Sequence, residues 1–193
     1  MATSAGEPER PEEIEIYAIG HSTHPLDRFI ELLQAHQVTL LVDIRTVPRS
    51  RTNPQFNSDT LPNELGRMGI RYMHLKVLGG LRRPAKDSAN LGWENTSFRG
   101  YADYMQTPEF EQGLEELIAA AAEGRAAIMC AEGNPFRCHR NLVADALTAK
   151  GVSVYHISSR KSARLHTLTS FARVDDGRVS YPAPENLSAQ NSV

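Results

Sequence analysis

The sequence predicts a single α/β domain: a mainly parallel sheet of about five strands with helices on both faces, followed by a C-terminal β-hairpin. Three observations predict it. Short apolar runs alternate with segments whose apolar residues recur at helical spacing. No two consecutive runs before residue 171 are joined by a tight turn, which leaves crossover connections and hence parallel pairing. With 193 residues, 40% of them apolar, the chain can bury a core without disulfides or a structural metal.

Residues 14–20 (IEIYAIG) read as a strand broken at Gly20, and His24-Pro25 opens a helix carrying Leu26, Phe29, Ile30 and Leu33 at i, i+3, i+4, i+7. Residues 38–44 (VTLLVDI) are nearly all apolar, the pattern of a strand covered on both faces. An irregular segment follows. A short helix with Leu61, Leu65 and Met68 then leads through Gly69 into a third strand, 70–77, which stops at Gly79-Gly80. Residues 81–99 are polar and read as a functional loop or lid. Thr107-Pro108 caps a helix whose buried stripe is Phe110, Leu114, Leu117, Ile118 and Ala121. A fourth strand covers 125–130, and Asn134-Pro135 starts a helix with Leu142, Val143, Ala146 and Leu147 facing inward. A fifth strand covers 152–157, and 171–181 forms a hairpin around Asp176-Gly177. The expected domain is 14–182, flanked by disordered tails at 1–13 and 183–193.

Net charge is −2, but its distribution is uneven. From Arg45 to Lys86 nine basic residues face two acidic ones, a local +7, while the remainder carries 12 basic and 21 acidic residues, or −9. One region should therefore attract anions. The chain has no apolar run of membrane-spanning length, and Met1 to Glu13 lacks the features of a secretory signal. The expected setting is cytoplasmic, with no membrane partner and two cysteines present as thiols.

Ligands of open parallel sheets bind beyond the carboxyl ends of the strands. There the sequence supplies Gly20, His21 and Ser22 after the first strand, Arg45, Arg49 and Arg51 after the second, and Gly79 and Gly80 after the third. Cys130, Glu132, Cys138, His139 and Arg140 follow the fourth. The catalytic candidates are Cys138, Cys130, His21 and Glu132. Asn134 as cap would set Cys138 in or near the first turn of a helix, where amides, dipole and the neighbouring Arg137 and Arg140 favour a thiolate. His21 is a candidate general acid or base, and Asp43 orients Arg45. Glu132 reads foremost as the ion-pair partner of Arg140. Gly20, Ser22, Arg45, Arg49, Arg51, Gly79, Gly80, His139 and Arg140 are the expected substrate-binding residues, with one pocket shared by the two groups. The spacing Cys-x7-Cys-His matches no standard zinc signature. A metal held by Cys130, Cys138, His139 and His21 is the minority alternative, and the sequence requires no cofactor. Cys130 followed by Arg137 is a loose analogue of a cysteine-phosphatase loop, with six intervening residues where that loop has five.

The segments IGHS (19–22), DIRTVPRSR (43–51), FN (56–57), LGG (78–80), YADYM (101–105), MCAE (129–132) and CHR (138–140) together resemble the family catalogued as domain of unknown function 488. The likeness runs from about residue 16 to about 182. It implies a common fold and a shared site, and no reaction. From the residues themselves, an enzyme of hydrolase or transferase type acting on a small anionic substrate, phosphorylated or nucleotide-like, ranks first. A nucleic-acid-binding or nucleic-acid-processing protein, using the +7 segment with Tyr72, Trp93, Phe98 and Tyr101 as stacking groups, is the alternative. A thiol redox or metal-binding protein is the third reading.

Overall fold

The computed structural model describes residues 14–184; the expected tail at 1–13, and the expected tail at 183–193 from residue 185 on, lie outside the described residues. The strands are β1 (Glu15–Gly20), β2 (Leu40–Asp43), β3 (Arg71–His74), β4 (Ala126–Cys130), β5 (Ser153–Ser159) and β6 (Ser162–Leu165). They form one sheet in the order β3-β2-β4-β1-β5-β6, with β6 alone antiparallel. A separate two-stranded hairpin joins β7 (Arg173–Asp175) to β8 (Arg178–Ser180). Asp176 and Gly177 turn it with φ of 45° and 72°, the backbone that a two-residue hairpin loop requires.

The helices are α1 (Leu26–Ala35), α2 (Leu61–Arg67), α3 (Thr96–Tyr104), α4 (Pro108–Ala122) and α5 (Arg140–Ala149). Side chains alternate across each strand, so the sheet has two apolar faces. Tyr17, Ile19, Leu41, Ala127 and Met129 pack against Phe29 and Leu33 of α1 and Leu61 and Leu65 of α2. Ile16, Ala18, Val42, Ile128 and Cys130 pack on the other face with Tyr101 of α3, Phe110, Leu114 and Leu117 of α4, and Leu142 and Val143 of α5. The crossovers from β1 and from its neighbour β4 therefore leave to opposite faces. A crevice opens at their carboxyl ends, as the topology rule requires.

Three local readings are corrected. The absence of tight turns before residue 171 fails at Arg160-Lys161, which joins β5 to β6 with no positive φ and a register shift between Ile157 and Ser159. The polar stretch 81–99 runs into α3, which Asn95 caps by accepting from the amides of Ser97 and Phe98. Gly100 of α3 is tied to that stretch, because a Cβ there would stand 2.5 Å from the Arg82 carbonyl oxygen. Lastly, Asn134 caps only a single 3-10 turn, Pro135–Arg137, and α5 begins at Arg140. Among the described residues no helix is long and apolar enough to cross a membrane.

Candidate active site

The loop after β4 folds over the end of β1. Gly20 pairs with Cys130, the His21 amide donates to the Cys130 carbonyl at 3.0 Å, and the Ser22 amide donates to that of Ala131 at 2.9 Å. A Cβ on Gly20 would stand 1.8 Å from the Glu132 carbonyl oxygen, so glycine is demanded by the protein's own backbone.

After β2 the chain buries an ion pair. Arg45 Nε donates to Asp43 Oδ1 at 2.9 Å and Nη2 donates to Oδ2 at 2.5 Å and to the Phe56 carbonyl at 2.6 Å. Tyr72 adds its hydroxyl to Asp43 Oδ2 at 2.8 Å, and burial beside that carboxylate pushes the phenol up. His21 Nδ1 must carry the proton, because it lies 2.8 Å from the Ser22 carbonyl, which only accepts. Its Nε2 then accepts from Arg45 Nη1 at 3.2 Å, and the ring stacks on Phe56 at 4.3 Å. Burial lowers the His21 pKa and the Arg45 charge adds to that, against the opposing Ser22 bond. His21 is a neutral imidazole with both nitrogens engaged.

The two cysteines meet. Cys138 adopts extended backbone just ahead of α5, which carries its sulfur to 2.6 Å from Cys130 Sγ, where its S–H donates. The Arg140 amide donates to Cys138 Sγ at 3.4 Å. The thiolate assignment from sequence is reversed here. The bond from Cys138, helped by the Arg140 charge, lowers the Cys130 pKa, whereas donating that bond and being buried pushes the Cys138 thiol up. His139 Nε2–H donates to the Ile44 carbonyl at 2.9 Å, leaving Nδ1 as an acceptor 3.7 Å from Cys138 Sγ. Burial holds this imidazole neutral, with its pKa lowered to about 4. Arg140 is 1% exposed; Nη2 donates to the Gly133 carbonyl at 3.4 Å, while Nε and Nη1 have no partner among the described residues.

These residues share one edge of the sheet but are distributed over three depressions divided by the loop 131–133. His21, Ser22, Arg45, Arg49 and Glu132 line one of about 370 Å³. Gly80, Glu132, Cys138 and His139 line a second, of about 450 Å³, with Tyr101 and Arg137. Gly20 lines a third. Cys130 and Arg140 lie beneath the surface. Arg49 and Arg51 are exposed, Arg49 reaching only Asp59 at 3.4 Å. Gly79 packs on Thr46, whose hydroxyl donates to the Gly80 carbonyl. Glu132 forms no ion pair with Arg140 among the described residues; its side chain is exposed, and its backbone is what meets the site. The four suggested metal ligands do not converge, since His21 is turned to Arg45 and Phe56 while His139 is anchored on Ile44, and no metal-holding cluster occurs among the described residues. The four aromatic candidates are engaged internally: Trp93 packs with Phe98, Phe171 and Tyr181, Tyr101 is buried, and Tyr72 serves Asp43.

Sequence reasoning missed a second polar cluster, Asp145, His156, His166 and Tyr181, because its members lie on separate elements and no spacing links them. The one local signal is an Asp inside the buried stripe of α5.

A family model described as Domain of unknown function DUF488 matches residues 25–147, a span that includes Arg45, both cysteines and Arg140. No curated protein and no solved structure matches the chain.

Proposed function

Since the chain belongs to the family Domain of unknown function DUF488, whose description carries no reaction, we propose its function from the site: a thiol-dependent enzyme in which Cys138 acts on a small anionic substrate, while Cys130 takes the Cys138 proton and supplies a second sulfur. One observation carries the reading. Cys138 Sγ stands between Cys130 Sγ at 2.6 Å and the accepting Nδ1 of His139 at 3.7 Å, on the wall of the second depression. The charges of Arg82 and Arg140 both act on His139, and Arg137 lines the same depression, which favours an anion.

A nucleophile backed by a second thiol suits dithiol–disulfide exchange. Cys138 sulfur, its proton passed along the bond it donates to the Cys130 thiolate, attacks one sulfur of a disulfide substrate and expels the other half as a thiolate, which takes that proton from Cys130. The Cys130 thiolate then attacks Cys138 Sγ, closes the Cys130–Cys138 disulfide and releases the second half as thiolate. Two electrons pass from the pair to the substrate. Arg140 stabilises the Cys130 thiolate before its attack and, in the reverse direction, as a leaving group.

Oxidised glutathione, a small anionic disulfide, tests this by mass spectrometry. Cys130→Ser should accumulate the mixed disulfide on Cys138, Cys138→Ser should form none, and the wild type should pass to the intramolecular disulfide. No adduct on folded Cys130→Ser overturns the reading. A second reading, transfer of a phosphoryl group through Cys138, is favoured by the two uncommitted donors of Arg140. Turnover of a phosphate ester that survives Cys130→Ser would select it.

A further inference from the structure

The three most exposed large apolar side chains among the described residues are Leu81, Phe136 and Val47, at 84%, 70% and 62%. All three stand at the carboxyl edge of the sheet, on the connections that leave β3, β4 and β2. Each lines a depression there: Leu81 the second, with Cys138, Phe136 the third and Val47 the first. Exposed apolar residues scattered singly need no explanation, but a group gathered on one functional edge does. Leu81 is held there against its own backbone preference. Its φ of 62° is left-handed, a conformation that strains a bulky residue, and the side chain it carries is turned out to solvent.

The depressions adjoin. Glu132 lines both the first and the second, Gly133 both the first and the third, and Leu81 joins the second to a fourth, of about 510 Å³, beside Lys76 and Arg82. Taken in sheet order they run from the end of β3, where Lys76 stands, past Cys138 to the ends of β1 and β5. That is four strand spacings, about 19 Å at about 4.8 Å each, or the reach of about six residues of extended chain. The charge along this row is positive. Asp43 and Glu31 answer Arg45 and Arg28, but Arg49, Lys76, Arg82, Arg137 and Arg164 also line it, against the two carboxylates of Glu109 and Glu132. Of those five cations only Arg49 has an ion pair among the described residues, with Asp59 at 3.4 Å.

We propose that the carboxyl edge is a docking surface for an extended acidic polypeptide, whose disulfide lies over Cys138 and whose apolar side chains meet Leu81, Phe136 and Val47. This rests on the dithiol–disulfide reading and enlarges its substrate: a small anionic disulfide occupies the depression at Cys138 alone, while a chain carrying the same bond covers the whole row. The step is unchanged. Two electrons pass from Cys130 and Cys138 to the peptide's disulfide, one half of which leaves as a thiol and the other as a thiolate. Apolar anchors inside a charged rim suit a polypeptide, the anchors supplying affinity and the charges steering the encounter. A nucleic acid would answer the charge but carries no disulfide, and the rings at the thiol depression are withheld from stacking, Tyr101 being buried and Phe98 packed on Trp93.

Single-turnover reduction of disulfides by the dithiol form of the full chain tests this. The probes are the homodisulfide of a heptapeptide with a central cysteine flanked by leucine and glutamate, the same peptide with lysine for glutamate, and oxidised glutathione. At low salt and neutral pH the acidic peptide should react at least about ten-fold faster than either of the others, and its lead over the lysine peptide should shrink as salt is raised. Leu81→Ser and Phe136→Ser, both at exposed positions, should each lower the ratio of the acidic-peptide rate to the glutathione rate by about five-fold or more. Leu91→Ser, 53% exposed and lining none of the four depressions, should leave that ratio unchanged. Glutathione reduced as fast as the acidic peptide, or a ratio indifferent to both substitutions, overturns the docking surface and leaves the dithiol reading standing. Reduction of none of the three overturns both. Oligothymidylate bound more tightly than the reduced acidic peptide at about 0.15 M salt would assign the edge to nucleic acid and overturn the proposal as well.

Discussion

Arg45 and Arg140 are both buried at the carboxyl edge of the sheet, 6% and 1% exposed, yet their surroundings are opposite. Arg45 meets Asp43 through two nitrogens, gives another bond to a carbonyl, and uses its remaining nitrogen on His21. Arg140 has one long bond to a carbonyl and two nitrogens with no partner among the described residues. The first is closed: its charge is neutralised, and its donors fix the tautomer of a histidine and the path of the chain from Asp43 to Phe56. The second is open, and the features that lend themselves to chemistry, the lowered Cys130 thiol and the His156 ring whose Nδ1 has no partner among the described residues, lie within reach of its charge. A buried arginine that is fully satisfied organises structure; one left unsatisfied is energetically costly unless a thiolate or ligand answers it.

The comparison breaks most visibly at Asp43. Asp43→Ala leaves Arg45 buried without a counter-charge and should cost about 3–5 kcal/mol, read by urea denaturation. A loss under about 1 kcal/mol would mean that Arg45 turns out to solvent. Gly20→Ala should cost about 1–3 kcal/mol, because the methyl meets the Glu132 carbonyl and the loop 131–133 must shift. Chemical denaturation checks it, with Gly66→Ala, whose Cβ meets nothing, as the harmless control.

Acidification should act through the histidines on the open side. His139 and His156 have folded pKa values near 4 against an ordinary 6.5, so between these pH values the unfolded chain binds more protons. Stability is therefore full above pH 6.5 and falls as pH drops toward 4, by about 1–2 kcal/mol for each partly buried ring. His139→Gln should flatten part of that slope; a slope identical to wild type would count against it. Smallest of all in stability is Arg140→Met, expected to stay within about 1 kcal/mol of wild type because only the long bond to the Gly133 carbonyl is lost. Its mark should be elsewhere: the thiolate absorbance of the Cys130 pair should titrate at higher pH, and an unshifted titration would detach Arg140 from the thiols.

β1, β2 and β4 were legible because each is a nearly all-apolar run, and Thr107-Pro108 was legible as a cap because it is one, the Thr107 hydroxyl accepting from the Phe110 amide at 3.3 Å. β6 was not, since SARL is short and mostly exposed and its turn uses Arg and Lys where a hairpin ordinarily shows glycine or asparagine. The edge carrying the candidate residues followed from strand order alone. Their division into three depressions did not, because it depends on where the loop 131–133 lies. Cys138 is instructive: Asn134-Pro135 is a genuine capping signal, yet the helix it starts ends after one turn so that Cys138 can extend toward Cys130. The Asp145 cluster draws on α5, β5, the segment after β6 and the segment after β8. Contacts among such distant positions leave no periodicity to read.

The sheet order also governs how the chain can be made. β1 and β2 are consecutive in sequence but never touch; the slot between them is filled by β4, so Ala18 waits for Ile128, 110 residues later, and Val42 waits for the same residue. During synthesis, until residue 126 has emerged, β1 has neither neighbour and β2 has only β3. Two strands with apolar faces are thus held with open edges through most of translation, the condition under which nascent chains pair with one another. The centre of the sheet closes late and all at once when β4 slides in, and the segment that closes it ends in Cys130. The reactive edge consequently cannot exist before β4 has entered the slot between β1 and β2.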